Sequence, residues 1–215
     1  MYNFSFQLIT IKKNIDLKEE CQNYDVLLVG TNLYGRLTNG WQLDAKLLYP
    51  IIHKINLETR YGDIEKLGKV IKIEQKDKPT VCLLYITKGY NFRPDLQKDY
   101  LEYDALERCL RYINIVFKGK NIACPILGYS KFEGNGNKEK IIKLFENILT
   151  DVNVTLYDYE QISSNERDLN IIKKIMDAKM AFKVTKDKSE YYRLIKEKKE
   201  YKERLKKINN LKIDF

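Results

Sequence analysis

Two polar, glycine-bearing segments follow apolar runs, and these are the places where the chain can do chemistry. The first, residues 32–40, reads NLYGRLTNG after the run DVLLVGT at 25–31. The second, 128–137, reads GYSKFEGNGN after NIACPIL at 121–127. Glycine lets a backbone approach a ligand closely and take positive φ, so such loops can turn N–H groups toward a phosphate. Neither is a Walker A loop, because the Gly-Lys-Ser/Thr end is missing, and neither matches GxGxxG at a helix start. Composition leaves two readings open, a phosphate cradle or a pair of ordinary surface turns. Metal chemistry has little to work with. The one histidine, His53, has no ligand partner at metal spacing, and Cys21, Cys82, Cys109 and Cys124 form no CxxC pair. Buried free thiols are the expectation. Trp41 is expected to start a helix core, and His53 to be a core or surface residue of the same helical pattern.

The elements that would position these loops follow from hydrophobic periodicity. Alternation at Phe4, Phe6 and Leu8 predicts a first strand. The run 25–31 predicts a strand buried on both faces. Spacings of three and four through Trp41, Leu47, Leu48, Ile51, Ile52 and Ile55 predict a helix that Pro50 kinks or delays. Strands follow at 69–74 and 80–87. A helix at 99–117 presents Leu106, Cys109, Leu110, Ile113, Val116 and Phe117 on one face. Then come a strand at 121–127, a helix at 138–149 facing inward through Ile141, Ile142, Phe145, Ile148 and Leu149, and a strand at 152–157. This alternation implies a mixed, largely parallel sheet with helices on both faces, whose ligands bind beyond the carboxyl ends of the strands.

Charge divides the chain in two. Of the net +9, residues 161–215 supply +7, with 16 Lys and Arg against 9 Asp and Glu. The basicity therefore belongs to a tail and not to the body, where a general nucleic-acid-binding domain would carry it. The expected division is a domain at 1–160 and a basic helical tail at 161–215. Tyr191, Leu194, Lys198, Tyr201, Leu205 and Ile208 repeat at heptad-like spacing, and Glu200/Arg204 and Glu203/Lys207 are favourable helix pairs. The seam suits a homodimer or docking on the chain's own domain, and the basic faces suit nucleic acid. No run reaches the eighteen or so apolar residues that span a bilayer, and the first residues lack a secretory pattern. A cytoplasmic chain without a membrane partner is the default expectation.

Taken as an ordered set, DVLLVGTNLYGRLTNGWQLDAKLLYP, LLYITKGYNFRPDL, LEYDALERCLRYINIVFKGKNIACPILG and IACPILGY resemble the macrodomain family over roughly residues 4–158. The resemblance implies a three-layer α/β/α fold with a mixed sheet, here carrying a C-terminal helical extension, and ADP-ribose or a related nucleotide as ligand, with no cofactor. It implies ligand contacts from Thr31, Asn32, Thr38, Asn39 and Gly40 in the first loop, Asn32 near the distal ribose. In the second loop it implies contacts from Gly128, Tyr129, Ser130, Lys131 and Phe132, with the diphosphate over backbone N–H groups. Tyr129 and Phe132 either pack on ribose or adenine or anchor the loop. Where macrodomains place Gly-Asp for the adenine amino group this chain reads IKKNIDL, so Asn14 or Asp16 would serve.

Within the family the chain looks most similar to the terminal ADP-ribose glycohydrolases and the antitoxins that strip ADP-ribose from DNA. In that group a strand ends in Thr-Lys and the Lys is linked with attack on the distal ribose; the matching residue is Lys88. A lysine amine can act as a nucleophile when neutral, and a nearby carboxylic acid can protonate the leaving group. The group's acidic position falls on Phe132, with Glu133 one residue later. Binding is therefore the first expectation, and hydrolysis of ADP-ribose from protein, nucleic acid or a small conjugate the alternative. A nucleic-acid-associated protein acting through its tail is a third. A Lys-, Asn- and Ile-rich tailed chain suggests a bacterial or phage source, in which sequestering or degrading an NAD-derived defence signal is the role to expect.

Overall fold

A computed structural model describes residues 9–13, 17–37, 40–89, 100–130, 133–158 and, in the tail, 192–193, 195–200 and 202–203. Among the described residues six strands form one sheet: β1 (Thr10–Lys13), β2 (Val26–Asn32), β3 (Val70–Ile73), β4 (Thr80–Thr87), β5 (Asn121–Pro125) and β6 (Asn153–Asp158). Their spatial order is β1-β6-β5-β2-β4-β3. Every pairing is parallel except β3 with β4. The longer helices are α2 (Gly40–Leu48), α3 (Pro50–Glu58), α4 (Tyr103–Val116) and α5 (Lys138–Ile148), and a single turn, α1 (Leu17–Glu20), precedes β2.

The sheet is covered on both faces, and β2 shows how. All seven of its residues are buried. Val26 and Leu28 join the core that Leu106, Leu110 and Ile113 of α4 and Ile141 and Phe145 of α5 complete. Leu27 and Val29 join a second core with Trp41, Ala45 and Ile52 of α2 and α3. Alternate side chains on one strand thus serve opposite layers, the α/β/α arrangement expected. Trp41 is buried in that second core, donates Nε1–H to the Leu28 carbonyl at 2.9 Å and stacks on Tyr157 at 5.4 Å.

Several elements differ from expectation. The alternation at Phe4, Phe6 and Leu8 lies outside the described residues. A four-residue strand, β1, stands just beyond it, at the edge of the sheet and held by backbone pairing to β6, with Ile11 exposed. Pro50 divides the expected long helix in two: α2 ends, Tyr49 intervenes, and Pro50 opens α3 in the position a proline tolerates. The helix expected from 99 begins only at Tyr103, and Leu101 pairs instead with Thr87 in an isolated antiparallel bridge. Val116, expected on the inner face of α4, is exposed.

The four cysteines are free and buried. Burial pushes the Cys82 and Cys109 thiols up to about 12, so they stay protonated and unreactive. On α3, His53 is pushed down to about 4 by burial, with the Lys46 ammonium adding to the effect. No helix among the described residues is long and apolar enough to cross a membrane.

Asp25 fastens the amino ends of three central strands. Its carboxylate accepts the Asn121 N–H at 2.9 Å and faces the Lys120 ammonium at 3.4 Å. Its carbonyl accepts the Thr80 N–H at 2.9 Å. The Asn121 bond, and after it the lysine, hold the Asp25 pKa below the ordinary carboxylate value. A group depressed in this way stabilises the fold above its unfolded pKa, and the contribution disappears as pH falls through the folded value. Asp25→Ala is expected to cost about 1 kcal/mol at neutral pH, roughly 2–4 °C in thermal midpoint. The gap between variant and parent should close on acidification; equal midpoints at pH 7 would contradict this role.

Candidate functional site

Strands β2 and β5 are neighbours, yet the chain leaves them in opposite directions. After β2 it enters α2, which packs in the second core; after β5 it reaches α5, which packs in the first. In open α/β folds ligands usually bind at such a divergence, in the crevice outside the carboxyl ends of the strands. The described residues at that edge are 33–37 after β2, 126–130 and 133–137 after β5, and Lys88 and Gly89 after β4.

The first loop is shaped by side chains beneath it. Asn32 is buried, and its Oδ1 accepts the Tyr34 and Arg36 N–H groups at 3.0 and 3.3 Å while its Nδ2 donates to the Arg36 carbonyl at 3.0 Å. The asparagine therefore folds its own loop. Gly35 takes φ +67°, and a Cβ there would meet the Asn56 carbonyl at 3.3 Å. Thr31 also points inward, where its Oγ1 accepts from Asn56 Nδ2 at 3.3 Å. Asn56 Oδ1 takes the Tyr85 hydroxyl at 2.6 Å, and Thr59 donates its hydroxyl to the Asn56 carbonyl at 2.7 Å. Gly40 begins α2, and Gln42 Nε2 donates to the Gly30 carbonyl at 2.8 Å. Thr38 and Asn39 lie outside the described residues, as do Asn14 and Asp16.

The second loop is shaped by glycine packing on one leucine. Gly128 takes φ +74°, and a Cβ there would lie 2.5 Å from Leu101 Cδ1. At Gly136 a Cβ would meet Leu101 Cδ2 at 2.4 Å, and at Gly134 it would meet the Gly128 carbonyl at 2.6 Å. The Ser130 carbonyl gathers the N–H groups of Glu133, Gly134 and Asn135 at 2.9–3.1 Å. Glu133 is buried, and its Oε2 accepts the Gly128 N–H at 3.3 Å. Several of the N–H groups expected to meet a diphosphate are thus donated within the loop. Tyr129 is 42% exposed, with the Lys138 ammonium 5.3 Å from its ring centre; that ammonium also pairs with Asp158, the last residue of β6, at 2.8 Å. Lys131 and Phe132 lie outside the described residues.

Lys88 follows β4 directly. Its ammonium is half-exposed and forms an ion pair with Glu102 at 2.7 Å, while its N–H donates to the Tyr100 carbonyl. The residues that sequence reasoning passed over are Asn56, Thr59, Lys66, Tyr85 and Leu101. Tyr85 was visible as a polar tip within an apolar strand; the others sit in segments whose local pattern names no partner.

A separate cavity of about 320 Å³ opens at the opposite, amino end of the sheet, lined by Thr10, Lys12, Glu20, Tyr24, Asn121 and Asn153 among others.

No family model matches the chain, and no curated protein matches it. Solved structures do. The macrodomain of Mycobacterium tuberculosis DarG matches with a TM-score of 0.51 at 20% identity, over 70% of this chain and 97% of that one. A Bacteroides thetaiotaomicron protein matches with a TM-score of 0.55 at 16% identity, over 70% and 99%. The macrodomain of Thermus aquaticus DarG matches with 0.50 at 14% identity, over 70% and 98%.

The clamp of Glu133 on Gly128 generates a test. Glu133→Ala leaves a buried N–H without its carboxylate and is expected to destabilise the chain by about 2 kcal/mol in a denaturant melt. A loss below about 0.5 kcal/mol, the range of an ordinary surface change, would show that the loop keeps its shape without the clamp.

Proposed function

The chain has the macrodomain fold, and on that premise we propose that it binds ADP-ribose or a close derivative across the carboxyl edge of the sheet. One observation carries the reading. The resemblance in sequence assigns adenine to the residues after β1, the diphosphate to the loop after β5, and the distal ribose to Asn32 and Lys88. In the sheet those strands stand in the order β1, β6, β5, β2, β4, although the chain visits them as β1, β2, β4, β5, β6. The parts of one elongated ligand therefore fall in order along a single edge. Four inter-strand steps of about 4.8 Å give it roughly 19 Å.

Binding is favoured over hydrolysis by what the two candidate catalytic groups are doing. A nucleophilic lysine needs a desolvated, neutral amine; Lys88 is half-exposed and ion-paired. A general acid needs access to the leaving group; Glu133 is buried against Gly128. Holding and withdrawing an NAD-derived signal is the role that suits such a site. The ligand-binding roles of Thr38, Asn39, Lys131 and Phe132 remain part of the proposal, as do contacts from Thr31, Asn32, Gly40, Gly128, Tyr129 and Ser130.

The tail from 161 onward is proposed as a helical attachment. Its described residues between 192 and 203 are helical, with Tyr192 and Ile195 exposed and Lys196–Glu200 and Lys199–Glu203 pairs at 4.0 Å. Of the expected seam only Lys198 is among the described residues.

Calorimetry with ADP-ribose, ADP, AMP and NAD tests the function. ADP-ribose should bind at least about tenfold more tightly than AMP, a difference of about 1.4 kcal/mol. A folded chain that gives no heat with any ADP-ribosyl compound would overturn the reading. With ADP-ribosylated substrates, no turnover beside intact binding is expected; turnover abolished by Lys88→Ala would establish the hydrolase instead. For the tail, deletion of 187–215 should convert a dimer to a monomer in light scattering. An unchanged monomer that loses salt-sensitive DNA or RNA binding would overturn self-association.

A further inference from the structure

Lys66 is a buried cation beneath the first loop. It closes a short 3-10 turn, Ile64–Lys66, between α3 and β3, and is 8% exposed. Its ammonium donates to the Leu33 carbonyl at 2.6 Å and to the Thr59 hydroxyl at 3.1 Å, and lies 4.9 Å from the centre of the Tyr85 ring. The acceptors are a carbonyl, a hydroxyl and an aromatic face. Burying an ammonium is costly even after relaxation, and neutral acceptors offset that only in part. Burial lowers the Lys66 pKa accordingly, against a smaller opposing effect of Asp63. An apolar side chain of the same length would serve packing at least as well. What the ammonium adds is direction: a short, charge-assisted hydrogen bond on one chosen carbonyl.

That carbonyl is the first after β2. It also accepts the Gly62 N–H at 2.9 Å. The next amides, Tyr34 and Arg36, turn back onto Asn32 Oδ1. The loop is thus pinned through its carbonyl on Lys66 and through its N–H groups on Asn32. Thr59 extends the anchor to the end of α3 through the Asn56 carbonyl.

We propose that Lys66 is the positioning residue of the first loop and sets the affinity for the part of the ligand that lies over β2 and β4. The affinity half of this rests on the ADP-ribose reading; the positioning half stands on the loop alone. Lys66→Met preserves length and apolar packing while removing the donor. In the full, unliganded chain, amide exchange at Tyr34, Gly35 and Arg36 should quicken by about tenfold or more, with α4 and α5 unchanged. In calorimetry, ADP-ribose affinity should fall by about tenfold or more while AMP, which reaches only the β1–β5 side, changes by less than about threefold. A purely structural lysine would weaken both ligands alike. Thr59→Val, which removes one partner of the ammonium, should give the same pattern in smaller measure and serves if Lys66→Met does not fold. Unchanged exchange at 34–36, or parallel losses for ADP-ribose and AMP, would overturn the proposal. If the parent chain binds neither nucleotide, the ligand reading has failed, and the exchange measurement alone decides whether Lys66 positions the loop.

Discussion

Strand β2 must be buried on both faces along its whole length, and the rest of the molecule answers to that requirement. A seven-residue strand with every side chain enclosed needs a helical layer on each side. Here α2 and α3 cover Leu27 and Val29, and α4 and α5 cover Val26 and Leu28. Gly30 sits where the fit is closest: a Cβ would meet Ile86 Cδ1 at 3.1 Å and Leu127 Cδ2 at 3.4 Å. With both faces taken, the chain leaves β2 toward one layer and β5 toward the other, and the crevice between them follows from topology. No special motif has to create it.

The two loops at that crevice are fixed by different physics but share an anchor. The first is held by a buried polar network through Asn32, Asn56, Thr59, Lys66 and Tyr85. The second is held by the absence of side chains: Gly128, Gly134 and Gly136 close over Leu101. The carboxyl end of β4 ties the two together. Thr87 donates its hydroxyl to the Thr31 carbonyl at 3.3 Å, and Thr87 also bridges to Leu101. A substitution at Thr87 would thus be felt at both loops.

Much of the scaffold could be read from sequence because its signals are strong and local. The run through β2, the apolar β4, and the three-and-four spacing of α4 and α5 each name one structure. Weaker signals misled. Leu101 falls inside the bounds expected for a helix from 99 but pairs with Thr87, because tertiary pairing outweighs local preference. β1 is short and lies at the edge, where backbone pairing to β6 holds it. At the site, the loops were legible and the roles were not. Asn32 is a polar residue at a strand end, and nothing in its neighbourhood tells whether it faces a ligand or its own backbone. Lys66 was invisible for a physical reason: a lysine outside a periodic element is solvated by default, and only the fold brings Leu33, Thr59 and Tyr85 around it.

We propose that the ligand lies along the carboxyl edge of the sheet, where β2 and β5 diverge. Amide chemical-shift mapping by NMR during titration with ADP-ribose tests it most directly. Perturbations are expected to concentrate at residues 33–37, 126–134 and around Lys88. Perturbations centred instead on Lys12, Glu20, Asn121 and Asn153, at the amino-end cavity, with the crevice silent, would contradict it.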